Sequence, residues 1–405
     1  VSAASSSVRV AGFLSRRAIT RGNRGITVLT VLMMAVIYAE LLFVPSLIQG
    51  ATNRIESELQ QYITSSVTIS PSGSDQTIPD PQAILASARA DPKVASATAT
   101  MLAGSQISHA NHTSSWPVVA IDPASYSTTF ATPKTMIAGS FLSPSASDDI
   151  VLGLGIAGDD DTTASTYNAS LQTVHVGDKV TVTLLGGATH VFTVSGIYST
   201  YLSQANSRAF ISRATADSLL PALSGKESAI YVKTRAVGQE QAVIDRLRAV
   251  HPDVEYQSWQ SLSAMIKDVT GSFNTIKAIL NAVSLVVAAI AVFIVTYVDL
   301  ANKRRTIGIE RAIGISGPAI TLTYLLKAVV FALVGIALGL GLFYGLAIPA
   351  VNHHPFEFPI GPVTLSVTGA EIRRDALILV IVAIIGALIP AWRTVRTKLL
   401  DAIWG

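Results

Sequence analysis

Not one of the 405 residues is cysteine. That excludes disulfide-stapled scaffolds, thiol enzymes, iron–sulfur proteins and cysteine-type zinc fingers. Charge is scarce too: Asp, Glu, Lys and Arg make up 14% of the chain, against about 25% in a soluble globular domain. Also missing is a phosphate-binding loop of the form G-x-x-x-x-G-K-[ST]. At the Gly225-Lys226 pair, Leu220 stands five positions before Gly225 and Glu227 follows Lys226. The chain therefore offers no P-loop route to ATP hydrolysis. No Gly-flanked serine nucleophile occurs with His and Asp in a hydrolase order. Asp159-Asp160-Asp161 lacks the spaced ligands and glycine of a Ca²⁺ loop and reads as a solvated loop. His109, His112, His175, His190, His353 and His354 fall in strands or loops with no second ligand pair, so no metal site is expected.

What is present is apolar sequence in long blocks. Half of the chain is apolar, and its mean hydropathy is +0.48. Crossing a hydrocarbon core of roughly 30 Å takes about 20 helical residues. Four runs qualify or nearly so: Ile26 to Ile48, Ala278 to Val298, Ala328 to Ala350 with a start near Ala319, and Ala376 to Trp392. Four such runs exceed what one soluble core needs. The first is too long for a cleaved signal peptide and has no cleavage pattern close behind it.

Lys and Arg in short flanks set orientation. Residues 1–25 hold Arg9, Arg16, Arg17, Arg21 and Arg24 and no acid; Lys303, Arg304, Arg305 and Arg311 follow the second run, and Arg393, Arg396 and Lys398 follow the fourth. With four spans, all three clusters lie on one side, the cytoplasm. Arg373 and Arg374 fall outside against this rule, flanked by Glu371 and Asp375. The stretch Gln49 to Asn274 carries 13 basic and 19 acidic residues. The pI near 9.0 is thus mostly a topology signal, and no nucleic-acid partner is expected.

The expected fold is an α-helical membrane protein with four transmembrane helices, one plus three, and a large extracytoplasmic α+β domain. Its parts are a cytoplasmic amphipathic segment (1–25), a first span (26–48), the outer domain (49–274), a second span (275–300), a cytoplasmic loop (301–318), a third span (319–350), a short outer loop (351–375), a fourth span (376–392) and a cytoplasmic tail (393–405). Val10 to Arg24 mixes Phe13, Leu14 and Ile19 with Arg, as in a helix lying on the inner leaflet. Pro45 is expected to kink the first span near its outer end.

Within the outer domain, Ala51 to Ile63 continues the first span as helix, and Ser65 to Ser74 reads as a strand and turn. Asp80 caps a short helix with Pro81 at its first position. Trp116 to Ile121, Asp149 to Leu152, Phe210-Ile211 and Ile230 to Lys233 read as strands. Val174 to Leu185 alternates, with Val176, Val180, Val182 and Leu184 on one face. Gly186-Gly187 turns it into a partner strand, His190 to Tyr198. Gln239 to Val250 is an amphipathic helix with Val243, Leu247 and Val250 on its apolar side.

The run KRRTIGIERAIGIS, Lys303 to Ser316, resembles the loop after the second span in MacB/FtsX-type permeases of ATP-binding-cassette (ABC) transporters. Leu388-Ile389-Pro390-Ala391-Trp392-Arg393 and Asp401-Ala402-Ile403 resemble that family's ending. Asp149 to Gly153, Val176 to Val180 and Phe192 to Ile197 follow the family's order in the outer domain. The resemblance covers nearly the whole chain. Thr306 departs from it where an acid is usual, and Lys327 where many relatives carry Glu. The resemblance implies a multi-pass subunit of a prokaryotic cell membrane, with both termini cytoplasmic. It implies two copies, the second one identical, working with two cytoplasmic ABC ATPase subunits that bind ATP and Mg²⁺, and no cofactor in this chain. It also implies mechanotransmission that exports or extracts an amphiphile: a lipid, lipoprotein, peptide, drug or haem. The alternative is an FtsX-like scaffold that activates an extracytoplasmic partner enzyme without transport.

Three sites follow. Lys303, Arg304, Arg305, Ile307, Gly308, Glu310, Arg311, Ala312 and Gly314 are candidates for coupling to the ATPase. Ile307, Ile309, Ile313 and Ile315 would form an apolar ridge with charged edges. The plainer reading of the same residues is an inner-leaflet anchor. Met33 and Glu40, seven apart, share a helix face and are candidates for a substrate cavity, since an ionisable group within a span is functional by default. The plainer reading is a hydrogen-bonded Glu packed on a neighbouring helix. Gly335/Gly339 and Gly341/Gly345 form two small-residue seams, for packing within the chain or between copies. A secondary transporter is disfavoured, because the spans lack paired midplane charges and broken helices.

Overall fold

The computed structural model describes Ser15 and residues 24–73, 75–144, 147–158, 169–172 and 174–396; at 24, 26, 262–270, 272–274, 395 and 396 it describes the backbone alone. Apart from Ser15 and Arg24, the amphipathic segment Val10 to Arg24 lies outside the described residues. So do Asp159 to Asp161, Lys398 and Asp401 to Ile403. The chain divides into two compact units. One comprises 1–53, 269–358 and 362–405, the other 54–268 and 359–361.

Among the described residues, the outer unit is built on ten strands in one pairing network. They are β1 (Val67–Pro71), β2 (Val94–His109), β3 (His112–Ile121), β4 (Met136–Gly139), β5 (Asp149–Gly153), β6 (Lys179–Leu184), β7 (Thr189–Tyr198), β8 (Ala209–Ser212), β9 (Ala229–Thr234) and β10 (Val254–Ser258). The pairs β2–β3, β3–β8, β8–β5, β5–β7, β7–β6 and β6–β2 close a ring of six strands. Closure removes sheet edges that would otherwise invite pairing with another chain. Val118, Ala120, Ile150, Leu152, Ala209 and Ile211 belong to one buried cluster. Their alternate neighbours Val119, Ile121, Val151 and Phe210 belong to a second, with Tyr126 and Phe130. These strands are buried on both faces, which is why they read as unbroken apolar runs.

A third cluster joins β1, β9, β10 and the start of β2 to two helices, α2 (Pro81–Ala90) and α5 (Glu240–Val250). Asp80 caps α2 as expected, its Oδ1 accepting from the Ala83 amide at 3.3 Å. Two shorter helices, α3 (Pro123–Thr129) and α4 (Arg213–Leu219), follow β3 and β8.

Three details of the outer domain differ from expectation. The alternating strand starts at Lys179, because Gly177 turns the chain at φ +95° and leaves Val176 exposed. Val250 is exposed at the end of α5, while Val243, Ile244 and Leu247 carry the buried face. The sixteen-residue β2 has no counterpart in the sequence reading. Its small Ala, Ser, Thr and Gly residues carry weak strand propensity, and its partners β9, β3 and β6 define it.

Among the described residues, the other unit holds four helices long and apolar enough to cross a membrane. They belong to α1 (Arg24–Leu59), α6 (Trp259–Asn302), α8 (Gly317–Leu342) and α9 (Gly369–Arg396). A nine-residue helix, α7 (Arg304–Ala312), sits between α6 and α8. α1 runs on past Pro45 without a break, and α8 continues through a π-turn (Phe343–Ala347) into Ile348–His353. Met34, Tyr38, Leu42, Val292, Ala332, Leu379 and Ala383 form the shared core. Thr368 and Glu371 make a capping box at the start of α9. The Glu371 amide donates to Thr368 Oγ1 at 3.3 Å and the Thr368 amide to Glu371 Oε2 at 3.0 Å, which settles two otherwise orphaned donors.

Candidate functional site

α7 is a short helix with two different sides. Ile307 and Gly308 are buried, and Ile307 packs with Leu300, Ile320, Tyr324 and Ala391. Ile309 is 52% exposed and Ile313 74%. Arg304, Arg305, Ala312 and Gly314 are exposed, and Lys303, Glu310 and Arg311 half-buried. The expected four-isoleucine ridge is therefore split. At 100° per residue Ile307 and Ile309 point to opposite sides, so Ile307 anchors the helix while Ile309 and Ile313 face outward; Ile315 packs partly inward. Gly314, at φ +97°, ends the helix. Its amide donates to the Arg311 carbonyl at 3.1 Å and that of Ile315 to the Glu310 carbonyl at 3.0 Å, the Schellman pattern for which Gly is suited. Burial holds the Glu310 carboxyl above its ordinary value, the Lys303 ammonium opposing the rise only in part.

Beneath α7 lies a charge cluster that the sequence reading missed. Asp299, near the end of α6, meets Lys327 of α8 at 2.5 Å and Lys303 at 3.3 Å. The side chains of Asp299 and Lys327 are 7% and 8% exposed. Lys327 Nζ also lies 5.3 Å from the Phe331 ring centre. Asp299 and Lys327 line a small cleft with Thr30, Met34, Thr296 and Tyr324. One signal was legible: Asp299 and Lys303 are four apart at the end of an apolar run, the spacing of a helical ion pair. Lys327 lies 28 positions beyond Asp299, and only the fold joins them.

Met33 is half-buried and Glu40 exposed on α1. Glu40 Oε1 accepts a hydrogen bond from Ser284 Oγ on α6 at 2.9 Å. Two turns before Ser284 on α6, Lys277 pairs with Glu371 of α9 at 3.2 Å, and on α9 itself Arg374 pairs with Asp375 at 3.0 Å. The Arg pair that breaks the charge rule is thus partly neutralised by its acidic neighbours. Of the two small-residue seams, Gly335 and Gly339 lie against Met34, Ala35 and Tyr38 of α1, whereas Gly341 and Gly345 face open space.

Among the described residues, no three His, Asp or Glu side chains gather as a metal site. In the outer unit, His190 Nε2 pairs with Asp148 at 2.8 Å. Glu227 is buried beside Arg213, at 3.2 Å. Burial pushes its carboxyl up to about 7 against the pull of Arg213, with Asp217 adding to the rise. Its folded value therefore exceeds its unfolded one. Between about pH 4.5 and pH 7 the folded chain holds a proton that the unfolded chain has released, so stability falls as pH rises through that window. Thermal unfolding of the outer domain followed from pH 5 to pH 8 is expected to show this decline. Glu227→Gln is expected to flatten it, and an unchanged slope would assign the decline to other groups.

The geometry is that of a multi-span membrane protein with a large α/β domain inserted after its first span. The MacB-like periplasmic core domain matches residues 27–250, and the FtsX-like permease C-terminal domain matches 278–399. The chain belongs to the MacB/FtsX-like family of ABC transporter permeases. It is 28% identical over 133 residues to the macrolide export ATP-binding/permease protein MacB of Neisseria meningitidis, a match covering 32% of this chain and 20% of that protein. It thus spans about a fifth of the length of the MacB relatives it matches. It is 29% identical over 119 residues to the uncharacterized ABC transporter permease YknZ of Bacillus subtilis, covering 29% of this chain and 30% of that one. Among solved structures, the periplasmic region of MacB from Actinobacillus actinomycetemcomitans overlays with a TM-score of 0.36 at 13% identity, covering 52% of this chain and 95% of that one. The extracellular domain of YknZ from Gram-positive bacteria gives 0.34 at 12% identity, covering 48% and 97%.

Proposed function

We propose that this chain is the membrane subunit of an ABC transporter whose ATP is bound, with Mg²⁺, and hydrolysed by a separate cytoplasmic subunit. Two copies pair with two ATPase subunits. In this reading both termini and α7 face the cytoplasm, the side that the positive-inside bias of the Arg and Lys clusters favours, and the outer unit lies on the far side. The observation that carries this reading is α7. It is anchored by Ile307, yet it leaves Ile309 and Ile313 exposed beside Arg304 and Arg305. An apolar pair rimmed by cations suits a groove on another protein.

Closure of the ATPase pair would press on α7, and its anchored side passes the displacement to α6 and α8. Both α1 and α6 run on beyond the apolar spans, so span movement reaches the outer domain through unbroken helix. The work done is expulsion or extraction of an amphiphile, for which Met33 and Glu40 are candidate contacts.

Two measurements test this. Tagged protein purified in mild detergent is expected to bring down a P-loop subunit with vanadate-sensitive ATPase activity; repeated recovery of the chain alone after crosslinking would overturn the transporter reading. In that complex, Arg304→Ala, Arg305→Ala and Glu310→Ala combined are expected to lower substrate-stimulated hydrolysis while membrane insertion is unchanged. Full activity in the triple variant would remove α7 from the coupling path.

A further inference from the structure

At the end of the membrane unit opposite α7, a cleft of about 260 Å³ opens between α1, α6 and α9. Its walls include Leu41, Lys277, Asn281, Leu285, Arg374, Asp375 and Ile378. The volume is below the roughly 300–1,000 Å³ of sites that enclose a whole small ligand, and is room for a headgroup with the rest of the molecule outside. Three observations say what fits.

The first is a missing partner. Asp375 is 4% exposed. Its Oδ1 accepts from Arg374 Nε at 3.0 Å, but its Oδ2 is buried with no hydrogen-bond partner among the described residues. A buried carboxylate oxygen without a donor is costly and calls for an explanation. The second is spare donor capacity. Arg374 carries five N–H donors in a planar fork, and its side chain is 53% exposed. One donor serves Asp375; the terminal nitrogens remain for an oxyanion. Lys277 stands on the same wall, its ammonium paired with Glu371. The third is the apolar part of the wall, Leu41, Leu285 and Ile378, on helices apolar enough to span a bilayer.

We infer that this cleft binds the headgroup of a zwitterionic membrane amphiphile, with its anionic oxygens on Arg374 and its primary ammonium on Asp375. With the Asp375 carboxylate turned toward the cleft, because Oδ2 is closed to solvent as it stands, the ammonium supplies the donor that Oδ2 lacks, and the phosphate or carboxylate fills the free side of the guanidinium in the bidentate way such groups favour. The two ion pairs leave the wall close to neutral, which favours a zwitterion over a simple anion. The acyl chain continues along Leu41, Leu285 and Ile378. The same arrangement explains why Arg374 stands on the side of the membrane that the charge rule would leave without Arg: it is held by an acid and used on a ligand. The proposal deepens the transporter reading by giving its amphiphile a headgroup class, but binding itself needs no ATPase.

The test uses the full chain in phosphatidylcholine nanodiscs. The probe is phosphatidylethanolamine with a photoactivatable acyl chain, and the comparators are phosphatidylcholine and phosphatidylglycerol carrying the same chain. A charge-assisted hydrogen bond gives roughly a tenfold preference. Phosphatidylethanolamine is therefore expected to label peptides containing Leu41, Leu285 or Ile378 about tenfold more than phosphatidylcholine, whose quaternary ammonium has no N–H. Asp375→Asn is expected to remove that preference, and Arg374→Gln, at an exposed side chain, to lower labelling by phosphatidylethanolamine and phosphatidylglycerol alike. Equal labelling by the three lipids, or labelling indifferent to Arg374→Gln, would overturn the proposal. Full competition by equimolar soluble phosphoethanolamine would also overturn it, since the site would then recognise a free headgroup rather than an amphiphile. Headgroup-selective labelling without a co-purifying ATPase would sink the transporter reading and leave this one standing; ATPase coupling with unselective labelling would do the reverse.

Discussion

Asp299→Asn is expected to destabilise the full chain by about 3–5 kcal/mol, the usual consequence of stripping one partner from a buried ion pair. The magnitude follows from what is left behind. Lys327 is buried and draws its closest contact from Asp299; in the Asn variant its ammonium keeps a neutral amide oxygen and the Phe331 ring face at 5.3 Å, but no counter-charge in place of Asp299. Asp299→Leu combined with Lys327→Met is expected to recover most of the loss, because an apolar pair of similar volume removes the desolvation cost along with the attraction. Lys303→Ala is expected to cost far less. Its side chain is 29% exposed, and an exposed i,i+4 pair contributes only about 0.3–0.5 kcal/mol. Thermal unfolding of the purified protein in detergent reads all three. If the single Asp299 variant unfolds with the wild type, the pair is not the clasp between α6 and α8 that the geometry describes. The double variant has a second use: a stable protein with impaired ATPase coupling would show that the charges act in transmission beyond holding α7 in place.

The four spans were legible because a bilayer imposes a length and a composition on any helix that crosses it, and both can be counted along one chain. The outer domain was legible where strands are buried on both faces, as at Ile150-Val151-Leu152, or where a turn announces a hairpin, as at Gly186-Gly187. It was illegible where pairing alone decides. β2 looks like loop until β3, β6 and β9 flank it, and closure of the six-strand ring depends on its contact with β6, some 75 residues onward (Ser108 opposite Thr181). The stretch around α7 shows the same divide. The residues proposed for coupling are named by the sequence resemblance, yet the split of their isoleucines follows from helix formation, and the anchoring cluster joins Asp299 to a lysine on another span. Lys327 stood out only as a departure from the family pattern. In the structure that departure has a physical reason: an ammonium there neutralises Asp299, whereas a second carboxylate would leave two like charges in a buried site.

The two glycine seams of α8 are expected to respond to one substitution with opposite signs. A Cβ on Gly339 would sit 2.7 Å from the Ala35 carbonyl oxygen and about as close to Tyr38, at 3.0 Å; one on Gly335 would sit 2.4 Å from Met34 Cβ. These are backbone or near-backbone atoms of α1, so relief requires the two helices to separate. Overpacking of this kind costs about 1–3 kcal/mol, more than the gain in helix propensity returns. Gly339→Ala is therefore expected to lower the unfolding temperature. Gly341 has nothing within 4 Å of the same point, so there the propensity gain stands alone. Gly341→Ala is expected to stabilise the chain by up to about 1 kcal/mol. A seam used between copies would break this expectation in a readable way. If Gly341→Ala raises the unfolding temperature and leaves crosslinking between copies intact, the exposed seam faces lipid. If it leaves the chain folded but abolishes crosslinking, Gly341 and Gly345 meet the second copy, because a methyl group that meets nothing within one chain can only be felt by another molecule.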